Sequence, residues 1–381
     1  MSNRLKIGIS QGDINGIGWE VILKILSDNR IAELCTPVVY GSLEAATYYQ
    51  KTLTDYEPVK FTVVEGAEQA QHGVANLVEC CDKGISITPG KPSKVGGEAA
   101  AKALNRAVAD LKAGRIDALV TAPIDKEMIQ SEAFNYTGHT EFLAAEIGGK
   151  PLMIMASEIM RVGLVTIHVP VSKVAEHLTK ELIAERIEQM NRSMIEDFGI
   201  VKPRIAVLAL NPHAGDGGLL GSEEAEVVKP AIVEAFERDI LAFGPFAADG
   251  FFASGQFKNY DAILAMYHDQ GLTPFKTLTP DGVNFSASIA AVRTSPDHGV
   301  AYDIAGKGIA DEQSMRNALY MAIDIVRRRK EWAKWTANPL EHFEREKGRD
   351  ISIKDLPTGC MRFTSRHLQC CATRRRCMSV R

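Results

Sequence analysis

Short apolar runs rich in β-branched residues alternate with longer segments of helical period along almost the whole chain. This alternation restricts the fold more than any other feature. The runs predict strands over Lys6–Ser10, Val38–Gly41, Phe61–Val64, Ala118–Thr121, Leu152–Ala156, Val162–His168, Arg204–Leu210 and Ala262–Tyr267. Helices are expected over Gly18–Leu26, Leu43–Leu53, Gly96–Ala113, Lys126–Ser131, His139–Ile147, Ser172–Asp197, Ser222–Asp239 and Glu312–Trp335. Strands that alternate with helices build βαβ units and a largely parallel sheet. A chain of 381 residues, 45% hydrophobic, can bury either two α/β domains or one large unit. There is no internal repeat and no long linker, and the weakest boundaries fall near Phe134 and Ala290.

The charge balance narrows the function. A net charge of −4 and a pI near 6.2 give no basic face for nucleic acid. No apolar run approaches the roughly 20 residues of a membrane span. MSNRLKIGIS enters a strand pattern at once, so no signal peptide is expected and the reading is cytoplasmic. Cys35, Cys80 and Cys81 lack zinc-ribbon or CxxC spacing and read as buried or inert thiols. Cys360, Cys370, Cys371 and Cys377 belong to an Arg/Cys-rich final segment without helix or strand period. Residues 351–381 are therefore expected to be a disordered tail foreign to the fold.

Three histidines close predicted strands: VGLVTIH at His168, IAVLALNPH at His213 and DAILAMYH at His268. Side chains just past the carboxyl ends of buried strands face the crevice where α/β sheets bind ligands. Three such imidazoles could hold one divalent metal with positions left for substrate. A lone His213 would more often be structural; its matched setting favours the metal.

Several loops accompany them. QGDINGIGWE follows a strand and opens a helix. It offers either a tight turn or free N–H groups for an anion, and its spacing is not that of a dinucleotide-binding GxGxxG. Gly138-His139-Thr140-Glu141 feeds a helix, and His139 there is either a substrate contact or a packed residue. LNPHAGDGGLLGSEE reads as a shaped loop around His213. In MYHDQGLTPFKTLTPDGVNF, Lys276 sits in an apolar loop, where it either meets a phosphate or carboxylate or snorkels to water. Asn284 follows an Asp-Gly turn. The segment 292–314 is dense in Gly and Asp, and Arg293 is a natural clamp for an anion.

Together these segments resemble the 4-hydroxythreonine-4-phosphate dehydrogenase (PdxA) family of vitamin B6 biosynthesis, over residues 5–335. NPHAGDGG, MYHDQG, GHTEF, RTSPDHG and DIAGKGIAD are specific in combination. DHGVAYDIAGKGIAD looks like the adenosine-binding loop of isocitrate and isopropylmalate dehydrogenases. The first loop departs from the family's usual GDPAGIGPE by replacing two prolines and an alanine, and the chain is longer than most members.

The resemblance implies two three-layer αβα domains with an active-site cleft between them. These would be residues 1–134 plus 291–350, and residues 135–290. It implies oxidation and decarboxylation of 4-phosphooxy-L-threonine to 3-amino-2-oxopropyl phosphate and CO2. A paralogous dehydrogenase of threonate or erythronate 4-phosphate would keep every motif. The implied metal ligands are His168, His213 and His268, for one divalent ion per site (zinc, cobalt, magnesium or manganese). Imidazole suits zinc, cobalt or nickel, whereas magnesium prefers oxygen. His139, Thr140, Lys276, Asn284 and Arg293 are the implied substrate contacts. Asp249, Asp269 and Lys276 are the candidates for proton handling. NAD or NADP would lie along Asp13, Gly16, His298, Gly299, Asp303 and Asp311, and a carboxylate at Asp303 leans toward NAD. A homodimer is implied in which His268 comes from the second subunit.

Overall fold

The computed structural model describes residues 4–131 and 134–339; the expectations for the final segment and its four cysteines lie outside them. Residues Met1–Ala333 gather into one compact unit. The second unit, from Lys334 onward, is described only to residue 339.

The strands are β1 (Lys6–Ser10), β2 (Thr36–Gly41), β3 (Phe61–Val64), β4 (Ala75–Glu79), β5 (Ala118–Thr121) and β6 (Gly149–Ala156). They continue with β7 (Arg161–Leu164), β8 (Arg204–Leu208), β9 (Leu241–Phe246), β10 (Ala262–Ala265), β11 (Val283–Ile289) and β12 (Val292–Pro296). The first helices are α1 (Gly18–Leu26), α2 (Arg30–Leu34), α3 (Leu43–Gln50), α4 (Lys94–Lys112), α5 (His139–Ile147) and α6 (Val174–His177). They are followed by α7 (Lys180–Glu196), α8 (Lys229–Glu237), α9 (Ala248–Ala253), α10 (His268–Leu278) and α11 (Gln313–Thr336).

All the strands join one sheet in the order β3-β4-β2-β1-β5-β12-β11-β6-β7-β10-β8-β9. From β3 to β12 neighbours are parallel, as they are from β7 to β9. The β12–β11, β11–β6 and β6–β7 pairs between these blocks are antiparallel. Three reversals leave the two parallel blocks running in opposite senses. The sheet is largely parallel, as expected, with its three antiparallel pairs confined to the centre.

Every residue of α1 is buried, Trp19 among them, so this helix is a core element rather than an amphipathic surface one. Full burial of each Ile, Val or Leu there contributes roughly 1.5–3 kcal/mol. Ser93 caps α4 by accepting from Gly96 N–H. That helix buries an alanine-rich face, Ala99, Ala100, Ala103 and Ala107 among them, and so packs close to the sheet.

Four expectations change. The Ser172–Asp197 helix is broken, and Thr179 restarts it by capping α7 through Leu182 N–H at 3.1 Å. Lys126–Ser131 is a turn, because Asp125 Oδ1 accepts from Glu127 and Met128 N–H at 2.9 and 3.0 Å. β7 and β10 stop at Leu164 and Ala265, short of His168 and His268. The stretch around Lys276 is not a loop: α10 spans it despite Gly271 and Pro274. Burial of Leu272 and Phe275 outweighs a proline cost of about 3 kcal/mol.

Candidate active site

A cavity of about 300 Å³ is built from both parallel blocks and the strands between them. Thr121 ends β5, Arg293 and Ser295 lie on β12, Asn284 on β11, and His139 and Thr140 open α5. The other block supplies His168 after β7, and His268 and Lys276 on α10.

Arg293 dominates its electrostatics. The residue is 2% exposed, and its guanidinium donates to Thr121 Oγ1 at 2.6 and 3.0 Å and to Ser286 Oγ at 3.3 Å. These partners are neutral hydroxyls, and among the described residues no carboxylate pairs with it. Burial pulls its pKa down to about 9, against a weaker opposing influence from Glu141, so it is still a cation at neutral pH. An interior cation with spare donors is an anion receptor.

Among the described residues, three buried polar atoms on the walls have no hydrogen-bond partner: His139 Nε2, Asn284 Oδ1 and His298 Nε2. Such atoms cost about 1–3 kcal/mol each unless something meets them. Burial, then the nearby Arg293 and Lys126, holds the His139 pKa well below its ordinary value, so the ring is neutral. Burial also lowers His298.

The His168 and His268 rings face each other with centroids 6.4 Å apart. A metal at about 2.1 Å from one nitrogen of each would put the centroids roughly 5–6 Å apart, so the pair needs little adjustment. His268 Nδ1 shares a 2.7 Å hydrogen bond with Asp269 Oδ1, and His168 Nδ1 lies 3.6 Å from Glu141 Oε1. A carboxylate behind each Nδ1 leaves Nε2 for an ion, the usual backing of metal-bound imidazole. The donor set therefore fits a divalent metal, but in part. Among the described residues no group of three metal-ligating side chains forms within one chain. His213 does not line the cavity. It is exposed on a turn whose residues 213–217 all have left-handed backbone, with φ of 52° at His213, 53° at Ala214 and 43° at Asp216. Buried Glu224 secures that turn by accepting Leu210 and Asn211 N–H, each at 2.8 Å.

Lys276 Nζ meets Asp297 Oδ1 at 2.6 Å at the mouth. Burial raises the Asp297 carboxyl, and the Lys276 ammonium opposes that shift. Asp249 is exposed on the first turn of α9 and does not line the cavity, and Asp269 reaches it only through His268.

His298 and Gly299 line the cavity, whereas Asp13, Gly16, Asp303 and Asp311 do not. Gly12, at φ +69°, could carry no side chain, since a Cβ would lie 2.3 Å from Pro123 O. A Cβ on Gly16 would lie 2.8 Å from Val300 O, so this glycine lets the first loop press against the loop after β12. Asp13 is fully buried and accepts from Asn15 N–H and Tyr302 O–H. Asp311 accepts Gln313 N–H at the start of α11, and Asp303 is exposed. Further along, buried Glu20 accepts N–H from Gly308 and Ala310, while Lys24 donates to both carbonyls. Helix α1 thus grips the 308–310 backbone.

Sequence reading missed Thr121, Lys126, Glu141, Ser286, Asp297 and Tyr302. Asp297 sits inside the RTSPDHG motif and Glu141 inside GHTEF, so both were within reach. Thr121 and Ser286 carried no signal, because only strand pairing brings them to Arg293. The thiol expectation agrees with burial, which pushes Cys35 and Cys80 up to about 12 and Cys81 up to about 11.

Residues 33–322 match the family model described as pyridoxal phosphate biosynthetic protein PdxA. The chain is 50% identical over 359 residues to the 4-hydroxythreonine-4-phosphate dehydrogenase of Bacteroides thetaiotaomicron, covering 93% of this chain and 98% of that one. The enzyme of the same name from Prosthecochloris aestuarii is 40% identical over 83% of this chain and 95% of its own. The crystal structure of 4-hydroxythreonine-4-phosphate dehydrogenase from Klebsiella pneumoniae superimposes with a TM-score of 0.73 at 31% identity, over 85% of this chain and 98% of that one.

Proposed function

The chain belongs to the PdxA family of pyridoxal phosphate biosynthetic proteins, and on that footing we propose that it is a dehydrogenase of 4-hydroxythreonine 4-phosphate, making 3-amino-2-oxopropyl phosphate and CO2. One observation carries the reading: Arg293, a buried cation without a carboxylate partner among the described residues, shares a cavity with two carboxylate-backed histidines.

Arg293, Lys126 and Lys276 would receive the substrate's phosphate and carboxylate, with Lys276 exchanging Asp297 for the ligand. Neutral His139 would accept or donate one hydrogen bond through Nε2 without adding charge. Thr140 and Asn284 would orient the carbon chain. His168 and His268 would hold the divalent metal, with Asp269 and Glu141 fixing their rings. The set is completed by His213, and the homodimer implied by the resemblance is the means we propose for bringing a third imidazole to the pair. The resemblance gave His268 alone to the second subunit; the close His168–His268 pair on one chain favours keeping those two together. Bound there, the metal would supply Lewis acidity and NAD or NADP would accept the hydride. The dinucleotide would lie beside His298 and Gly299, along the loop reaching Asp303 and Asp311. Asp13 and Gly16 would serve it indirectly, by shaping that loop. Asp249 is left as a residue that only a rearrangement or a second subunit could bring to the chemistry. We read residues 1–134 with the chain from 291 as one domain and 135–290 as the other, because strand sense reverses between them. Among the described residues no helix is long and apolar enough to cross a membrane, and a biosynthetic dehydrogenase of this kind fits a cytoplasmic setting.

The test is turnover by the purified protein with NAD or NADP under defined metal, offered 4-hydroxythreonine 4-phosphate, threonate 4-phosphate and erythronate 4-phosphate. Dinucleotide reduction and CO2 release are expected with the first. Arg293→Ala should lower kcat/KM by about tenfold to a hundredfold, the cost of losing charge-assisted hydrogen bonds worth roughly 1.5–3 kcal/mol. Faster turnover of either sugar-acid phosphate would move the assignment to that substrate. Full activity in Arg293→Ala would remove the anion receptor from the reading.

A further inference from the structure

Tyr302 stands where three segments meet: the loop after β1, the turn after β5 and the loop after β12. Its hydroxyl lies 2.9 Å from Asp13 Oδ2 and 3.0 Å from Asp125 Oδ2. A phenol has one proton to donate. Two ionised carboxylates competing for it would leave one of these short oxygen contacts without a hydrogen. A second proton on one carboxyl removes the conflict, because that carboxyl then donates to the phenol oxygen.

The surroundings say which carboxyl carries it. Asp13 is fully buried, with Oδ1 taken by Asn15 N–H; burial raises its pKa, and nearby Asp125 adds to the shift. Asp125 accepts two backbone N–H groups and lies near the Lys94 ammonium, and its pKa is lowered despite partial burial. Tyr49, the other phenol near Asp13, donates to Ile14 O. The same junction is tied by Ile17 N–H to Val300 O at 3.0 Å and Gly90 N–H to Asn15 O at 2.9 Å.

We propose that Tyr302 is a positioning residue for the reaction: by sharing protons with Asp13 and Asp125, it fixes the loop that presents His298 and Gly299 to the cavity. This rests on the reading of that cavity as the reaction site. Glu20 and Lys24 hold the loop at Gly308 and Ala310, so Tyr302 anchors the end nearer the chemistry. A carboxyl raised in the fold contributes stability at low pH and loses it as pH rises through its folded value. Loss of the Asp13 proton sets two anions around one phenol, and the loop loosens.

The experiment compares wild type, Tyr302→Phe, Asp125→Asn and Asp13→Asn by hydrogen exchange, by the infrared C=O stretch of a protonated carboxylic acid, and by kinetics. In Tyr302→Phe, amide exchange at residues 298–302 should rise about tenfold to a hundredfold, the scale of a hydrogen bond to a charged group. KM for the dinucleotide should rise while KM for the phosphorylated substrate holds. In Asp125→Asn the side-chain amide can donate to the phenol, so exchange should stay near wild type and lose its pH dependence. The carboxylic stretch should vanish in Asp13→Asn and shift in Tyr302→Phe. Unchanged exchange in Tyr302→Phe, an increase spread evenly over the whole protein, or no protonated carboxyl in wild type would each overturn the proposal. If wild type reduces no dinucleotide, the reaction reading fails by itself, and exchange and infrared still decide the role of Tyr302.

Discussion

Single side chains here are legible once their partners are known. His139 shows this in its charge state. Burial and the neighbouring cations hold its pKa well below the ordinary value of 6.5. A base depressed by folding favours the fold at high pH, because the unfolded chain takes up a proton first as pH falls. Wild type should therefore lose stability relative to His139→Gln as pH drops through 6.5 and below, measured by denaturant titration at several pH values. A constant difference between pH 8 and pH 5 would mean that the ring is charged or exposed. Arg293 and Asn284 were visible in the sequence as candidates, but their character was not. Residue type gives neither the hydroxyl-only partners of the guanidinium nor the unpartnered Oδ1 of the amide.

At the scale of elements, the alternation of periods located β1, β3, β5, α1 and α5 at the observed bounds. It failed on β11, β12 and α10, the elements carrying Asn284, Arg293 and Lys276. Their Asp-Gly, Ser-Pro and Thr-Pro signals read as loops; pairing within the sheet overrode them for β11 and β12, and burial of Leu272 and Phe275 did so for α10. Helix α1 shows a different kind of silence: Glu20 and Lys24 look like an ordinary i,i+4 surface pair, yet both are buried, 3.3 Å apart, and hold the 308–310 backbone. Glu20→Ala should cost about 3–5 kcal/mol, since it leaves the Lys24 cation buried and unpaired. Urea unfolding measures this directly; a cost below about 1 kcal/mol would show that Lys24 escapes to water.

For the whole molecule, assembly is the open term. One chain offers two facing imidazoles; under the proposed reading, His213, on its turn of left-handed backbone, would be the third, supplied through a second copy. Removing metal with a chelator should abolish turnover, and zinc or cobalt should restore it. Specific activity should fall on dilution in step with dissociation of the proposed dimer, followed by sedimentation. Undiminished activity in a monomer would show that one chain completes the site.

The sequence by itself determined the α/β class, a part of the residues that line the cavity and, through motif combination, the family. These depend on local period and residue type, which are written along the chain. The tertiary structure decided which of those residues meet. It reversed the strand sense across the sheet, paired His168 with His268, set Arg293 among hydroxyls, and gave Asp13 to Tyr302. Proximity, burial and charge compensation are properties of distant segments brought together, and no window of sequence contains them.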